Sequence, residues 1–292
     1  MPIGVIDVGA NTVRLNVSDD GEEVHREKVM VRLGDAIERT GSVPDAKLDE
    51  TADLIERFVD DARELGVQRL EILVTSPGRQ ALNGRELIAR IEAAAEGAPV
   101  RLLSAQEEGR LGFLGAIAGT RGPARRLVAV CDVGGGSSQV AVGTRRDGLA
   151  WVRSVDIGSM RLTSRLLEDD PPGDAAVARA RAEVDRLLEG FVPPAPETAL
   201  AVGGSARALR AIVGNVLGAD ELDEVAGILA RTPAPEIAAL YDVHLDRVRT
   251  LAAGAVILEA LQARLHVPLR VVRGGGVREG AAIELASRRQ AA

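Results

Sequence analysis

Aromatic residues are scarce in this 292-residue chain: they make up 2% of it, as one Trp, one Tyr and three Phe. Its cores must therefore be built from Val, Leu, Ile and Ala, and a nucleic-acid reader that stacks bases on aromatic rings has little support. Lysine is almost missing too, with Lys28 and Lys47 alone, so nearly all positive charge is arginine, which suits bidentate phosphate contacts. A single cysteine, Cys131, excludes an intrachain disulfide. Its place in an apolar run reads as a small buried filler and fits a reducing cytoplasm. His25, His244 and His266 are scattered without metal-ligand spacing, which leaves a structural zinc site unsupported. No apolar run reaches the roughly 18 residues of a membrane span, and no basic and apolar leader precedes the first strand. Secretion and membrane insertion are not expected. A formal net charge of −7 argues against a general DNA-binding or acidic-membrane surface, so neither nucleic acid nor membrane is an expected partner.

What is present fits a folded chain of two domains, since 46% of residues are hydrophobic and 27% charged and the length exceeds one ordinary domain. Its most informative feature is a near-duplication. Val5-Ile-Asp-Val-Gly-Ala-Asn-Thr-Val-Arg-Leu-Asn-Val17 and Val130-Cys-Asp-Val-Gly-Gly-Gly-Ser-Ser-Gln-Val-Ala-Val142 both read as buried strand, acidic glycine turn and alternating return strand. Glycine in these turns permits positive φ and lets backbone N–H groups approach a phosphate, while Asp7 and Asp132 suit a hydrated divalent cation. Two copies imply two similar domains facing a shared cleft.

The remaining pattern is mixed α/β. Strands are expected near 24–31, 70–74, 100–103, 127–131, 151–155, 198–202 and 269–272, and helices over about 45–65, 86–95, 175–188, 206–213 and 251–265, with a last helix from about Arg278. Thr75-Ser-Pro-Gly-Arg79 reads as a turn, and Ser104-Ala-Gln-Glu107 as a capping box opening a helix. The boundary falls near Gly119 to Pro123, giving domains 1–120 and 121–292, with the final helix, about 279–292, packing back on the first domain. Gly203-Gly-Ser205 forms a third anion-facing turn, with Gly204 and Ser205 as donors, and Arg273-Gly-Gly-Gly276 a fourth. None has the Walker spacing.

Together, Ile6-Asp-Val-Gly-Ala-Asn-Thr12, Thr75-Ser-Pro-Gly-Arg79 with Ala81-Leu-Asn83, Glu107-Glu-Gly-Arg-Leu111, Asp132-Val-Gly-Gly-Gly-Ser137, Ile157-Gly-Ser159 and Arg278-Glu-Gly280 resemble the Ppx/GppA phosphatase family over nearly the whole chain. The resemblance implies two ribonuclease-H-like domains of the actin-like superfamily about an interdomain cleft. It further implies Mg²⁺ dependence and hydrolysis of a terminal phosphoanhydride. On it, Glu108 matches the general base for an attacking water, whereas Glu107 complements the helix N-terminus. Asp132 positions metal or water, with Asp7 as its counterpart. Arg79 grips the terminal phosphate or braces the base, and Gly9, Asn11, Thr12, Gly134, Gly135, Gly136 and Ser137 supply donors to phosphate oxygens. Arg278 and Glu279 match the closing motif, though their spacing equally fits an ion pair at a helix start. One departure stands out. The family commonly reads Gly-Gly-Gly-Ser-Thr-Glu, but this chain has Gln139, so a metal-facing acid becomes a neutral amide that still accepts through its carbonyl.

The expected activity is that of a cytoplasmic, homodimeric exopolyphosphatase, with guanosine pentaphosphate hydrolysis as the near alternative. An actin-fold phosphotransferase, or a phosphate sensor weakened at Gln139, are readings of another class. Because larger family members carry an additional C-terminal helical module, a preference for shorter polyphosphate is also expected.

Overall fold

A computed structural model describes residues 1–272 and 274–288. The first sheet contains β1 (Ile3–Val8), β2 (Thr12–Asp19), β3 (Glu22–Met30), β4 (Arg69–Val74) and β5 (Val100–Leu102), in the order β3-β2-β1-β4-β5. The second contains β6 (Val128–Val133), β7 (Ser138–Thr144), β8 (Gly148–Val155), β9 (Thr198–Val202), β10 (Val216–Leu217) and β11 (Leu269–Val271), in the order β10-β11-β9-β6-β7-β8. In each, an antiparallel three-stranded meander is followed by two strands parallel to its first member, β4 and β5 in the first sheet and β9 and β11 in the second, where the short β10 adds an antiparallel edge. These are two ribonuclease-H-like domains. The central strands β1 and β6 are buried at every position but one, and the partly open positions are Asp7 and Asp132.

Alternation along β1 divides the first core. Ile6 and Val8 face the helices Asp45–Glu64 and Gly84–Ala94, through Ile55, Phe58, Leu87 and Ile91. Ile3 and Val5 face the opposite way, against Ala281 and Leu285 of the chain's last helix, Val277–Ser287. The second sheet repeats this with exchanged partners: Val128 and Val130 of β6 pack against Phe113, Ala116 and Ile117 of the helix Ala105–Ala118. The helix that closes the first half thus covers the second sheet, and the helix that closes the second half covers the first. A boundary near residue 120 divides the chain but not these crossed helices.

The crossed helices touch each other through glycine. A Cβ on Gly280 would lie 2.0 Å from the Leu111 carbonyl oxygen, and one on Gly115 would lie 2.2 Å from that of Gly276. Backbone meets backbone there, so neither neighbour can yield by turning a side chain.

Most expected elements are present, including the capping box, in which Ser104 and Glu107 cap each other's backbone. The helices Leu33–Thr40 and Ser159–Leu166 carried no expectation, and three further differences stand out. Ser76–Gln80 is a short helix rather than a turn, with Pro77 in its first turn, where a missing N–H costs nothing. The helix Gly203–Val213 starts three residues earlier than expected and has no side-chain cap. Residues 214–250, which carried no expectation, hold the helices Ala219–Arg231, Ala234–Tyr241 and Leu245–Val248. The first was legible: Leu222, Val225, Ala226 and Leu229 form its buried stripe, and Glu221 caps Gly218.

Gly280→Ala should destabilise the fold by about 1–3 kcal/mol, the usual cost of overpacking. Gly119→Ala, at a position where a Cβ meets nothing within 4 Å, should shift stability by no more than about 1 kcal/mol. Urea midpoints at constant m-value measure both.

Candidate active site

The two duplicated turns meet across the domain boundary. Their internal geometry is the same: the Gly9 N–H donates to the Thr12 carbonyl and the Gly134 N–H to that of Ser137, each at 3.0 Å. The following helices clamp them in the same way. Gly34, in the helix Leu33–Thr40, donates to the Ala10 carbonyl at 2.7 Å; Ser159 and Met160, starting the helix Ser159–Leu166, donate to those of Gly134 and Gly135 at 2.8 and 3.0 Å. With their carbonyls occupied, the N–H groups of Ala10, Asn11, Gly135 and Gly136 find no acceptor among the described residues. Four free donors from two abutting turns form an anion-binding nest.

The glycines serve close approach rather than positive φ. At Gly136 a Cβ would lie 2.8 Å from Ser76 Oγ, and at Gly158 one would lie 2.3 Å from the Gly135 carbonyl oxygen. Neither Gly9 nor Gly134 to Gly136 has a positive φ; in this cleft that conformation belongs to Gly203, Gly274 and Gly275.

Four carboxylates line the cleft with the turns: Asp7, Glu108, Asp132 and Glu279. Glu108 leaves the first turn of the helix Ala105–Ala118 and accepts from Arg79 Nη2 at 2.7 Å, while Arg79 Nη1 holds the Leu103 carbonyl at 2.7 Å. Burial pushes the Glu108 carboxyl up to about 7, against the opposing pull of Arg79. Asp7 accepts from Arg278 at 3.2 Å. Asp132 accepts no hydrogen bond from any described residue, and burial raises its pKa above the ordinary carboxylate value. Arginines supply the counter-charge: Arg14, Arg207, Arg247 and Arg278 all line the cleft.

Of the residues expected from sequence, Asp7, Gly9, Asn11, Thr12, Glu108, Asp132, Gly134, Gly135, Gly136, Ser137 and Gly204 line this cleft together. Arg79 sits behind Glu108 and braces it. Gln139 lies outside the lining, directly across the β6–β7 ladder from Asp132, and its amide donates to Ser137 Oγ and Ser154 Oγ at 2.9 and 3.1 Å. Ser205 also lies outside it: its hydroxyl is buried, without a partner, and directed at Gly254. Gly274 to Gly276 line the cleft, while Arg273 falls outside the described residues. Sequence reasoning missed Arg14, Arg207 and Arg247. Arg14 carried a signal, since strand alternation puts it on the face of Thr12, whose hydroxyl accepts from Arg14 Nε at 3.1 Å.

A two-domain ribonuclease-H-like scaffold whose cleft brings together free backbone N–H groups, arginines and a buried carboxylate suits phosphoryl-transfer chemistry. The model of the Ppx/GppA phosphatase family matches residues 16–289, and the chain belongs to that family. It is 30% identical over 301 residues to exopolyphosphatase 1 of Mycobacterium tuberculosis, covering 96% of this chain and 87% of that one. It is 24% identical to the guanosine-5′-triphosphate,3′-diphosphate pyrophosphatase of Photobacterium profundum, covering 97% of this chain and 59% of that one. The Aquifex aeolicus Ppx/GppA crystal structure shares the fold, with a TM-score of 0.82 at 24% identity over 99% of this chain and 98% of that one.

The electrostatics of Glu108 can be measured directly. A carbon-detected NMR titration of the Glu108 carboxyl should show a midpoint near 7, and Arg79→Ala should move it higher, because the guanidinium favours the ionised form.

Proposed function

We propose that the protein is an exopolyphosphatase that releases orthophosphate from the end of inorganic polyphosphate by attack of water. The observation that carries this is the position of Glu108: a buried carboxylate with a pKa near neutrality, held by Arg79, in the same cleft as four free backbone N–H groups. Glu108 takes a proton from water as the water oxygen bonds to the terminal phosphorus. The bridging P–O bond breaks, and its electron pair leaves with the shortened chain. The N–H groups of Ala10, Asn11, Gly135 and Gly136 bind the non-bridging oxygens, where charge is spread in the transition state. Arg278 and Arg14 add positive charge beside them.

The donor set fits Mg²⁺. That ion prefers one or two protein carboxylates plus substrate phosphate and water, and Asp132 offers a carboxylate without a hydrogen-bond donor, with Asp7 nearby. Asp7 and Asp132 would hold the ion, which when bound neutralises phosphate charge. Gln139 is assigned an indirect role, orienting the Ser137 hydroxyl through its amide.

On this reading the enzyme works in a reducing cytoplasm, as the lone buried Cys131 suggests, and as a homodimer, as the resemblance to its family implies. Short polyphosphates are its preferred substrates, because the cleft's arginines form one local cluster.

Phosphate release from polyphosphate and from guanosine pentaphosphate, assayed side by side, tests the substrate. Faster release from the nucleotide would overturn the polyphosphate reading. Glu108→Gln should lower kcat by about 10²–10⁴-fold. In the wild type, kcat/KM should fall below about pH 7 as Glu108 takes up a proton and ceases to act as a base, and Glu108→Gln should remove this acid limb. A chelator that strips divalent cations should abolish turnover, and Mg²⁺ should restore it.

A further inference from the structure

Between β3 and the helix Leu33–Thr40 lies Arg32, which belongs to none of the sequence motifs and does not line the cleft. Its φ of 57° and ψ of 43° are left-handed, a conformation that glycine or asparagine holds more easily, and its side chain caps no helix N–H. The backbone there serves the first turn of the nest. The N–H groups of Val31 and Arg32 both donate to the Asn11 carbonyl at 3.0 Å, and the left-handed turn brings the Gly34 N–H to the Ala10 carbonyl. The side chain crosses to the other domain, where Arg32 Nη2 donates to Asp246 Oδ1 at 2.6 Å.

Asp246 belongs to the four-residue helix Leu245–Val248, of which only Val248 is buried, with Leu245 half-buried against the same core. His244 caps it, its Nδ1 accepting from the Asp246 N–H at 3.3 Å. A helix this short has little stability of its own and depends on what its side chains hold. Next after Asp246 comes Arg247, which lines the cleft against Gly204, where a Cβ would lie 2.6 Å from Arg247 Nη2. Among the described residues the Arg247 guanidinium has no hydrogen bond or ion pair of its own, and burial, then Arg207, lowers its pKa. The anchor of this segment is therefore its neighbour, Asp246.

A carboxylate in Arg32's own domain was available. Asp35 lines the same small cavity as Asn11, Arg32 and Asp246, and burial raises its pKa while Arg32 pulls the other way. The guanidinium nevertheless bonds across the domain boundary. Glu38 and Arg161, which also pair across this boundary, are 8% and 10% exposed, whereas Arg32 and Asp246 are 47% and 26% exposed. The Arg32 pair is thus the solvated one, a light tie that can tune a segment without deciding whether the domains fold.

We infer that Arg32 is a positioning residue for the cleft: without touching substrate, it grips Asp246 and so fixes the helix Leu245–Val248, and Arg247 with it, relative to the nest turn that its own backbone holds. The inference rests on the reading that the cleft takes the end of a phosphate chain, and it places one determinant of affinity outside the cleft lining.

Arg32→Asn keeps a residue that accepts the left-handed turn and removes the guanidinium. In steady-state kinetics on polyphosphate it should raise KM roughly two- to fivefold, the range of an exposed ion pair, and change kcat less. Asp246→Asn, which leaves the backbone clamp on Asn11 untouched, should do the same, and the double variant should be no worse than either single. Calorimetry with tripolyphosphate in a Glu108→Gln background reads the same loss as affinity, without turnover. Adding Arg247→Ala to that background gives the sharper comparison. There Arg32→Asn should weaken binding no further, because the residue it positions is gone, whereas a general loosening of the fold would weaken binding with or without Arg247. Unchanged affinity in Arg32→Asn and Asp246→Asn, or an equal loss in both backgrounds, overturns the positioning role. If the wild type releases no phosphate from polyphosphate while tripolyphosphate binding follows the expected pattern, the positioning role stands and the exopolyphosphatase reading falls. No binding of tripolyphosphate to the Glu108→Gln protein removes both.

Discussion

The site depends on one contact, the glycine crossing of the helices Ala105–Ala118 and Val277–Ser287. Each helix arises in one half of the chain and lies on the sheet of the other. Each also covers the face that carries an aspartate: Asp132 lies beneath the helix that bears Glu108, and Asp7 beneath the helix that bears Arg278. Had the crossing been built from larger residues, the helices would stand farther apart, and base and arginine would withdraw from the aspartates together. With Gly280 and Gly115 set against backbone carbonyl oxygens, the separation is as small as covalent geometry allows. The same crossing fastens the two domains, helped on the far side of the cleft by Glu38, which pairs with Arg161 and with Arg165.

The two hairpins share a backbone but differ in what lies over them. Next to Asp132 in register, Gln139 is sealed beneath the helix Ala105–Ala118, which comes so close that a Cβ on Gly109 would lie 2.4 Å from Val152 Cγ2. A charge there would be buried, and a neutral amide bonded to two serine hydroxyls satisfies the position. Next to Asp7, Arg14 stands beyond the end of the covering helix and opens into the cleft. The duplicated scaffold thus divides its work. The second copy carries the face covered by the helix that bears Glu108, and the first carries the open, cationic face.

What could be read from sequence follows from what is local. The turns, the capping box at Ser104 and the strand alternation are set by residues within a few positions of one another, and these were legible. Glu108, Asp7 and Asp132 were legible because each sits in a short motif. Arg207 and Arg247 were not: no local pattern marks either of them on its helix, and only the tertiary fold brings them to the cleft. Ser205 failed for the opposite reason. Its glycine neighbours look like the other turns, but the helix begins two residues earlier and carries its hydroxyl to Gly254. Ile157-Gly-Ser159 was recognisable as a motif without a visible purpose. Its role is contact: Gly158 lets the helix N-terminus reach the Gly134 and Gly135 carbonyls and so frees the donors on the other side of the turn.

A chain with net charge −7 that presents a cationic cleft must concentrate its positive charge, and here the concentration has a second use. A carboxylate beside phosphate is pushed toward its protonated, inactive form by burial and by the substrate's own charge. An arginine bound to it pulls the other way. Exposed, Glu108 would ionise near the ordinary carboxylate value and be a weak base; buried without Arg79, its pKa would lie higher than it does. Burial raised it and a single guanidinium at 2.7 Å restrained it, leaving the group near 7, where it is ionised enough to act and basic enough to accept a proton. Arg14, Arg207 and Arg247 line the space between the turns and make no ion pair with Glu108. The two sets of arginines come from different elements: Arg79 leaves the short helix Ser76–Gln80 to hold Glu108, while Arg14, Arg207 and Arg247 reach the cleft from β2 and from the helices Gly203–Val213 and Leu245–Val248.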